Sequence, residues 1–254
     1  MLARIARLDP SLLSPVRHGS EDHQRDMLPV KLRDSLVRQR VAIINSVRAS
    51  LKALGLRLPS ASPASFAREA RSVLNGEGHC GLLAALEPAL AVLEELCIRI
   101  REYDKAIAQC AAQRYPQTGK LQAITGVGPI ASLSFVLTVG DPGRFDDPRD
   151  VGAYLGLVPR RDQSGKSDKQ LPISKTGNCY LRRLLVQSAQ YILGHFGPEC
   201  DLRSYGLKLA SRGGKAAKKK AVIAVARKLA VVMLAMWKSQ SEYRPQRQIE
   251  TSAA

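Results

Sequence analysis

Acid is what this chain most lacks. Its 254 residues carry 22 Asp and Glu against 39 Lys and Arg, a formal net charge of +17. That surplus exceeds what solubility needs, and its field draws polyanions such as DNA, RNA or an anionic membrane. A long uninterrupted apolar run is missing too. The longest, Ala221 to Trp237, is broken by Arg227 and Lys228 and falls short of the roughly 18 uncharged residues a membrane span requires. The opening MLARIAR has neither the apolar segment nor the cleavage signature of a secretory leader, so a cytoplasmic protein without a membrane partner is expected. The cysteines, Cys80, Cys97, Cys110, Cys179 and Cys200, never form CxxC, and His18, His23, His79 and His195 show no HxxxH or HxH spacing. Neither a zinc site nor a disulfide framework is expected, and no metal ligand can be assigned. Strand-like alternation is also absent, which leaves a mainly α fold with irregular loops.

What is present is helical periodicity. From Val30 to Leu56 the apolar positions Val30, Val37, Val41, Ile44, Val47, Leu51 and Leu54 recur at three and four, with Arg33, Arg38, Arg40, Arg48 and Lys52 between them. This spacing predicts an amphipathic helix with a basic outer face. After the turn-rich PSASP comes Leu83 to Cys110, where Leu86, Leu90, Leu93, Cys97, Ile100, Tyr103 and Ile107 repeat for over three heptads. A paired or coiled-coil helix is predicted there, with Pro88 near its start and a homo-oligomer as one use of the seam. The text YPQTG then breaks the helix and marks a boundary. The expected organisation is a linking segment over 1–29, a helical coiled-coil region over 30–118, a C-terminal domain over 119–239 and a disordered tail over 240–254.

Within the C-terminal part, LQAITGVGPIASLSFVLTV holds two apolar stretches hinged at Gly126-Val127-Gly128-Pro129. Gly126 and Gly128 permit a tight turn, Pro129 suits a first helical turn, and open amides there could hold a phosphate. This resembles a helix-hairpin-helix, although an ordinary αα-hairpin uses the same residues. Asn178 suits the N-cap of a helix that runs to Leu193, with Arg182 and Arg183 on its outside. RGGKAAKKK, which includes Lys218 and Lys219, leads into a last apolar helix over Ala221 to Trp237. A lysine run at a helix N-terminus is either a solvated face or a phosphate contact.

Between these helices lies Pro159 to Gly177, read as a basic loop. It brings Arg160, Arg161, Lys166, Lys169 and Lys175 within a few residues of Ser164, which is followed by Gly165. A serine hydroxyl attacks a phosphodiester only if its proton is taken and cations meet the developing charge. The loop supplies the cations. No general base can be identified, since Asp162 and Asp168 could equally tether neighbouring cations.

Taken together, ITGVGP, FDDPRDVGAYLGLVPR, the Ser-Gly pair and ISKTGNCYLRRLL resemble the C-terminal domain of insertion-sequence transposases of the IS one-ten group, the bridge-RNA-guided recombinases. Upstream, MLARIARLDPSLLSPVRHGSEDHQ, the basic helix and LGLRLP resemble the stretch that joins the two catalytic halves, and RGGKAAKKKAVIAVARKLA fits as well. The resemblance implies that a serine attacks the scissile DNA phosphate and becomes covalently linked to it. By its place after LGLVPR and before ISK, that serine is Ser164. DNA is the implied partner of Ser164, Gly126, Gly128, Arg160, Arg161, Lys166, Lys169, Lys175, Arg182, Lys218 and Lys219, with a guide RNA as a second partner. In complete members a RuvC-like domain supplies four carboxylates, the DEDD set, that hold Mg²⁺ near the serine. MLARIAR corresponds to text just downstream of the last of these, so an N-terminally truncated copy, inactive alone, is expected. The nearest acids, Asp9, Glu21, Asp22 and Asp26, are read as lying in a loop and are given no metal role. A non-catalytic helix-hairpin-helix binder and a dimerising modulator of an intact transposase stay open as alternatives.

Overall fold

The computed structural model describes residues 7–9, 19–75, 80–164 and 167–246. Helix α1 spans Glu21–Ala53 and α3 spans Cys80–Arg114, with the short α2, Phe66–Leu74, between them. At 33 and 35 residues, the two long helices each extend about 50 Å at 1.5 Å per residue. They run antiparallel: Asp26 meets Arg114 and Arg33 meets Asp104, so partners fall in number on α3 as they rise on α1.

Helix α1 therefore starts nine residues before the expected boundary at Val30. Ser20 caps it by accepting from the His23 amide at 3.2 Å, and Glu21 and Asp22 complement its positive end. Glu21, Asp22 and Asp26 lie on this helix and not in a loop. Pro88 is likewise interior to α3, two turns from its first described residue, and Pro29 is interior to α1. The periodic seam of α3 packs within the chain, against α1 and α2. Leu90 and Leu93, which the periodicity offered as an oligomer seam, are fully buried with Val47, Leu51, Phe66, Ala67, Ala70 and Leu74 in a small core at the far end of the helix pair. Val41 departs from the predicted stripe and is 46% exposed.

A second, larger core lies at the other end. At its centre is α5, Pro129–Val139, buried almost all round, which is why its sequence is apolar without a polar face. Against α5 pack the short α4 (Gln117–Gln122), the ends of α1 and α3, and α7 (Cys179–Leu193); α9 (Gly214–Ser239) lies along α7 and reaches α5 through Trp237 on Phe135, and α8 (Asp201–Ala210) packs on α7 and α9. Two 3₁₀ turns, Pro142–Arg144 and Pro148–Asp150, precede the four-residue α6, Val151–Tyr154.

Pro159 to Gly177 is not an irregular loop. Strands β1 (Pro159–Ser164) and β2 (Ser167–Ile173) pair antiparallel as a two-stranded ribbon, with a register irregularity between Pro159 and Arg161. All six β1 residues are exposed, so no apolar alternation announced them. The segment after α9 also differs from the expected disordered tail. The Asp201 amide donates to the Pro245 carbonyl at 2.8 Å, Lys120 Nζ donates to the Gln240 carbonyl at 2.7 Å, and Tyr243 packs on the large core. Burial, helped by nearby Cys200, pushes the Tyr243 phenol up to about 12. Residues 247–254 lie outside the described residues.

Candidate functional site

Ser164 is the last residue of β1, exposed to solvent, with Ser167 as its cross-strand partner. The ribbon's tip, Gly165 and Lys166, is outside the described residues. Arg160 and Arg161 lie on β1 and are exposed, and Lys169 is the register partner of Asp162. Ser164, Arg160 and Asp162 alternate with Arg161 and Gln163, so the first three share one face of the strand.

The base of the ribbon is tied to the body in several ways. Backbone bonds run from Ser174 N to Val158 O at 2.9 Å and from Lys175 N to Gly156 O at 3.2 Å. Gly156 and Gly177 have φ of +65° and +70°, the left-handed region that glycine enters without penalty. They also allow an approach no side chain permits: a Cβ on Gly177 would lie 2.1 Å from Tyr154 O, and one on Gly156 would lie 2.4 Å from Thr176 N and O. Arg182 closes the arrangement. Its Nη1 donates to Leu155 O at 2.8 Å and to Thr176 O at 2.6 Å, joining the two loops below the strands.

The half-buried Arg182 guanidinium, expected to contact nucleic acid, spends its Nη1 on these two carbonyls at the base of the ribbon. Arg183 is tied to Asp34 on α1, which raises its pKa. Lys175 is exposed with φ of +58°, an uncommon conformation for a side-chain-bearing residue. The Asn178 cap forms as expected, its side chain accepting from the amides of Tyr180 and Leu181 at 3.0 and 3.1 Å.

At the Gly126-Val127-Gly128-Pro129 turn, Gly126 has φ of +91°. Gly128 is the N-cap of α5 without a side-chain cap bond, and Pro129 takes the first helical position. A groove of about 530 Å³ runs beside this turn between α1 and α7, bordered by Arg33, Thr125, Gln187 and Tyr191. Lys218 and Lys219 are exposed in the first turns of α9, which begins at Gly214 and not at Ala221. Between Asp201 and Glu242 the chain has ten Lys and Arg and no acid; Arg203 pairs with Glu199 just upstream at 3.3 Å.

Asp26 is buried, accepting from Tyr115 Oη at 2.6 Å and from Arg114; burial and this carboxylate raise the Tyr115 pKa. Among the described residues no group of three His, Cys, Asp or Glu could hold a metal. The described residues therefore do not fit the Mg²⁺ site that the resemblance implies for complete relatives.

Residues 119–204, which span the glycine turn, the ribbon and α7, match the sequence model of the Transposase IS116/IS110/IS902 family. Over 232 residues the chain is 34% identical to the transposase for insertion sequence element IS1111A of Coxiella burnetii, covering 89% of this chain and 62% of that protein. It is 30% identical over 239 residues to a "probable family 20 transposase" of Pseudomonas aeruginosa, covering 91% and 68%. The transposase for IS1328 of Yersinia enterocolitica is 33% identical over 175 residues, covering 67% of this chain and 51% of that protein. The chain belongs to the IS116/IS110/IS902 family of insertion-sequence transposases. It spans less than two thirds of the Coxiella relative's length.

Proposed function

We propose that this chain engages DNA through its unneutralised cations and presents Ser164 Oγ as the nucleophile for strand exchange. In the reaction Oγ attacks phosphorus, the bond from phosphorus to one sugar oxygen breaks, and a phosphoserine ester forms. The serine proton passes to a base, and the departing sugar oxygen ends as a hydroxyl. The observation that carries the reading is Ser164 exposed at the end of a projecting ribbon whose base is fixed by Gly156, Gly177 and Arg182. A nucleophile that reaches into a duplex needs reach and a fixed origin together.

Activating carboxylates of the DEDD kind, in this reading, belong to sequence outside the residues matched here, and a guide RNA is a second polyanion for the same cations. The chain alone then binds DNA without cleaving it. The test mixes purified chain, Mg²⁺ and a DNA pool, then denatures the protein before electrophoresis. No covalent adduct is expected from the chain alone. An adduct is expected when a full-length family relative, with its matching serine changed to Ala, is added, and it disappears with Ser164→Ala. An adduct that survives Ser164→Ala would overturn the assignment.

A second reading is favoured by the ribbon itself. The B-DNA major groove admits a two-stranded β-ribbon, so Arg160 and Arg161 could position the chain on DNA with no chemistry at Ser164. That reading predicts normal DNA binding and no adduct under any condition, with affinity lost on Arg160→Ala and Arg161→Ala.

A further inference from the structure

Phe196 is 84% exposed, the most exposed aromatic residue described. Leaving such a ring in water forgoes about 1.5–3 kcal/mol of burial, and on a flexible loop it would fold back onto the surface. Here the loop between α7 and α8 is held from within. Arg203 Nη1 donates to Ile192 O at 2.7 Å and to Gly194 O at 2.6 Å, and Gly197 N donates to Gly194 O at 3.1 Å. Gly197 fits only as glycine: a Cβ there would lie 2.0 Å from Ile192 O and 2.5 Å from Arg203 Nη1. His195 meets the Phe196 ring edge-on at 5.1 Å, and Cys200 anchors the far end of the loop in the core. The ring is thus held outward by the fold.

Five residues earlier, on the last turn of α7, Tyr191 is 50% exposed. Its ring edge is 3.2 Å from where a Cβ on Gly126 would sit, so it forms a wall of the groove beside the glycine turn. That groove is of the size that takes a nucleotide-sized ligand. Its floor is largely apolar, from residues such as Ile124, Ile130 and Leu184, and its rim adds hydroxyl and amide groups of Thr125, Gln187 and Ser188; no carboxylate lines it, and Arg33, its one cation, is paired with Asp104.

We propose that Phe196, with His195 and Tyr191, forms a stacking surface for an unpaired nucleobase, and that the strand carrying the base passes along the groove at the glycine turn. Two features favour a nucleic acid over an acidic or purely apolar protein partner: a lining that offers hydroxyls and amides beside apolar floor and no carboxylate, and a net charge of +17. Every base offers a π-face, so stacking of this kind tolerates sequence, and its loss on alanine substitution is about tenfold or more in affinity. The proposal rests on the nucleic-acid reading above and adds to it the form of the ligand, a strand with a base out of its stack.

The test follows a short single strand that carries the fluorescent base 2-aminopurine, as DNA and as RNA, alongside the matching duplex. Wild-type chain should bind the single strands and quench the fluorophore. Phe196→Ala should weaken that binding about tenfold and remove the quenching while leaving the slope of affinity against salt unchanged, because no phosphate contact is lost. Phe196→Trp should retain both, and Leu207→Ala, which trims another exposed apolar residue, should change neither. Whichever of DNA and RNA loses more on Phe196→Ala identifies the strand's source. Equal binding and equal quenching by wild type and Phe196→Ala would overturn the proposal while leaving the wider reading intact. A change in self-association with unchanged nucleic-acid binding would also overturn it, by marking the loop as a contact between copies. If the wild type binds no nucleic acid, the proposed function fails first and this inference falls with it.

Discussion

Gly177 shows how narrowly single positions set the ribbon. Replacing it with Ala combines the left-handed penalty of about 1–2 kcal/mol with an overlap against Tyr154 O at 2.1 Å. A loss of at least about 2 kcal/mol in denaturant unfolding is expected. Arg182→Ala should cost less in global stability, since the exposed Thr176 carbonyl can turn to water, yet it should speed proteolysis within 159–177 by freeing the ribbon's base. Unchanged cleavage there would remove the positioning role from Arg182. Asp26→Ala should cost about 1–3 kcal/mol, because it strips a buried phenol and an arginine of their acceptor. At this scale legibility followed sequence distance. The Asn178 cap was readable because its partners are two and three residues away, whereas the partners of Arg182, up to 27 residues off, leave no mark on local text. For Phe196 a signal was available, an aromatic between glycines at 194 and 197, but exposure could not be read from it.

Elements that bury a face were legible; those that do not were missed. Helices α1 and α3 follow from their apolar spacing, while the ribbon PRRDQS buries nothing and is held by its backbone ladder and the ties below it. The start of α1 was within reach, because Ser20 followed by Glu21 and Asp22 is a capping pattern. The small core carries a charge device of its own: Arg71 of α2 bonds both Glu87 and Glu94 of α3, at 2.7 and 2.6 Å. Hydrogen bonds to Arg71 lower the pKa of each carboxylate. A carboxyl group whose folded pKa is depressed stabilises above its unfolded value, near 4.5, and that gain disappears as pH falls through the folded one. Below pH about 4.5, then, α2 should loosen from the helix pair, seen as faster hydrogen exchange over residues 66–74. In a Glu87→Gln/Glu94→Gln variant that exchange should be fast at neutral pH and should no longer depend on acid. The helix pair has a weak middle as well. Seven residues on from Arg33, whose partner is Asp104, α1 carries Arg40, whose Nε is buried without a hydrogen-bond partner. Arg40→Leu should raise stability by about 1 kcal/mol; a decrease would show that the guanidinium does serve the seam.

On the scale of the whole molecule, charge gives the most direct number. Contact with about 8 phosphates predicts a slope near −7 for log affinity against log salt concentration, measurable by fluorescence anisotropy on any duplex. A flat line would remove nucleic acid as the partner. The match over residues 119–204 falls within the larger core, which α9 and one end of the helix pair complete, while the pair's far end carries a separate core. Such a rod works as a spacer of adjustable length. Because neither end draws on the other's packing, excising one heptad from α1 and its facing heptad from α3 would bring the small core about 10 Å nearer the body. Both hydrophobic clusters would survive, so the distance between them could be varied as an experimental quantity in its own right.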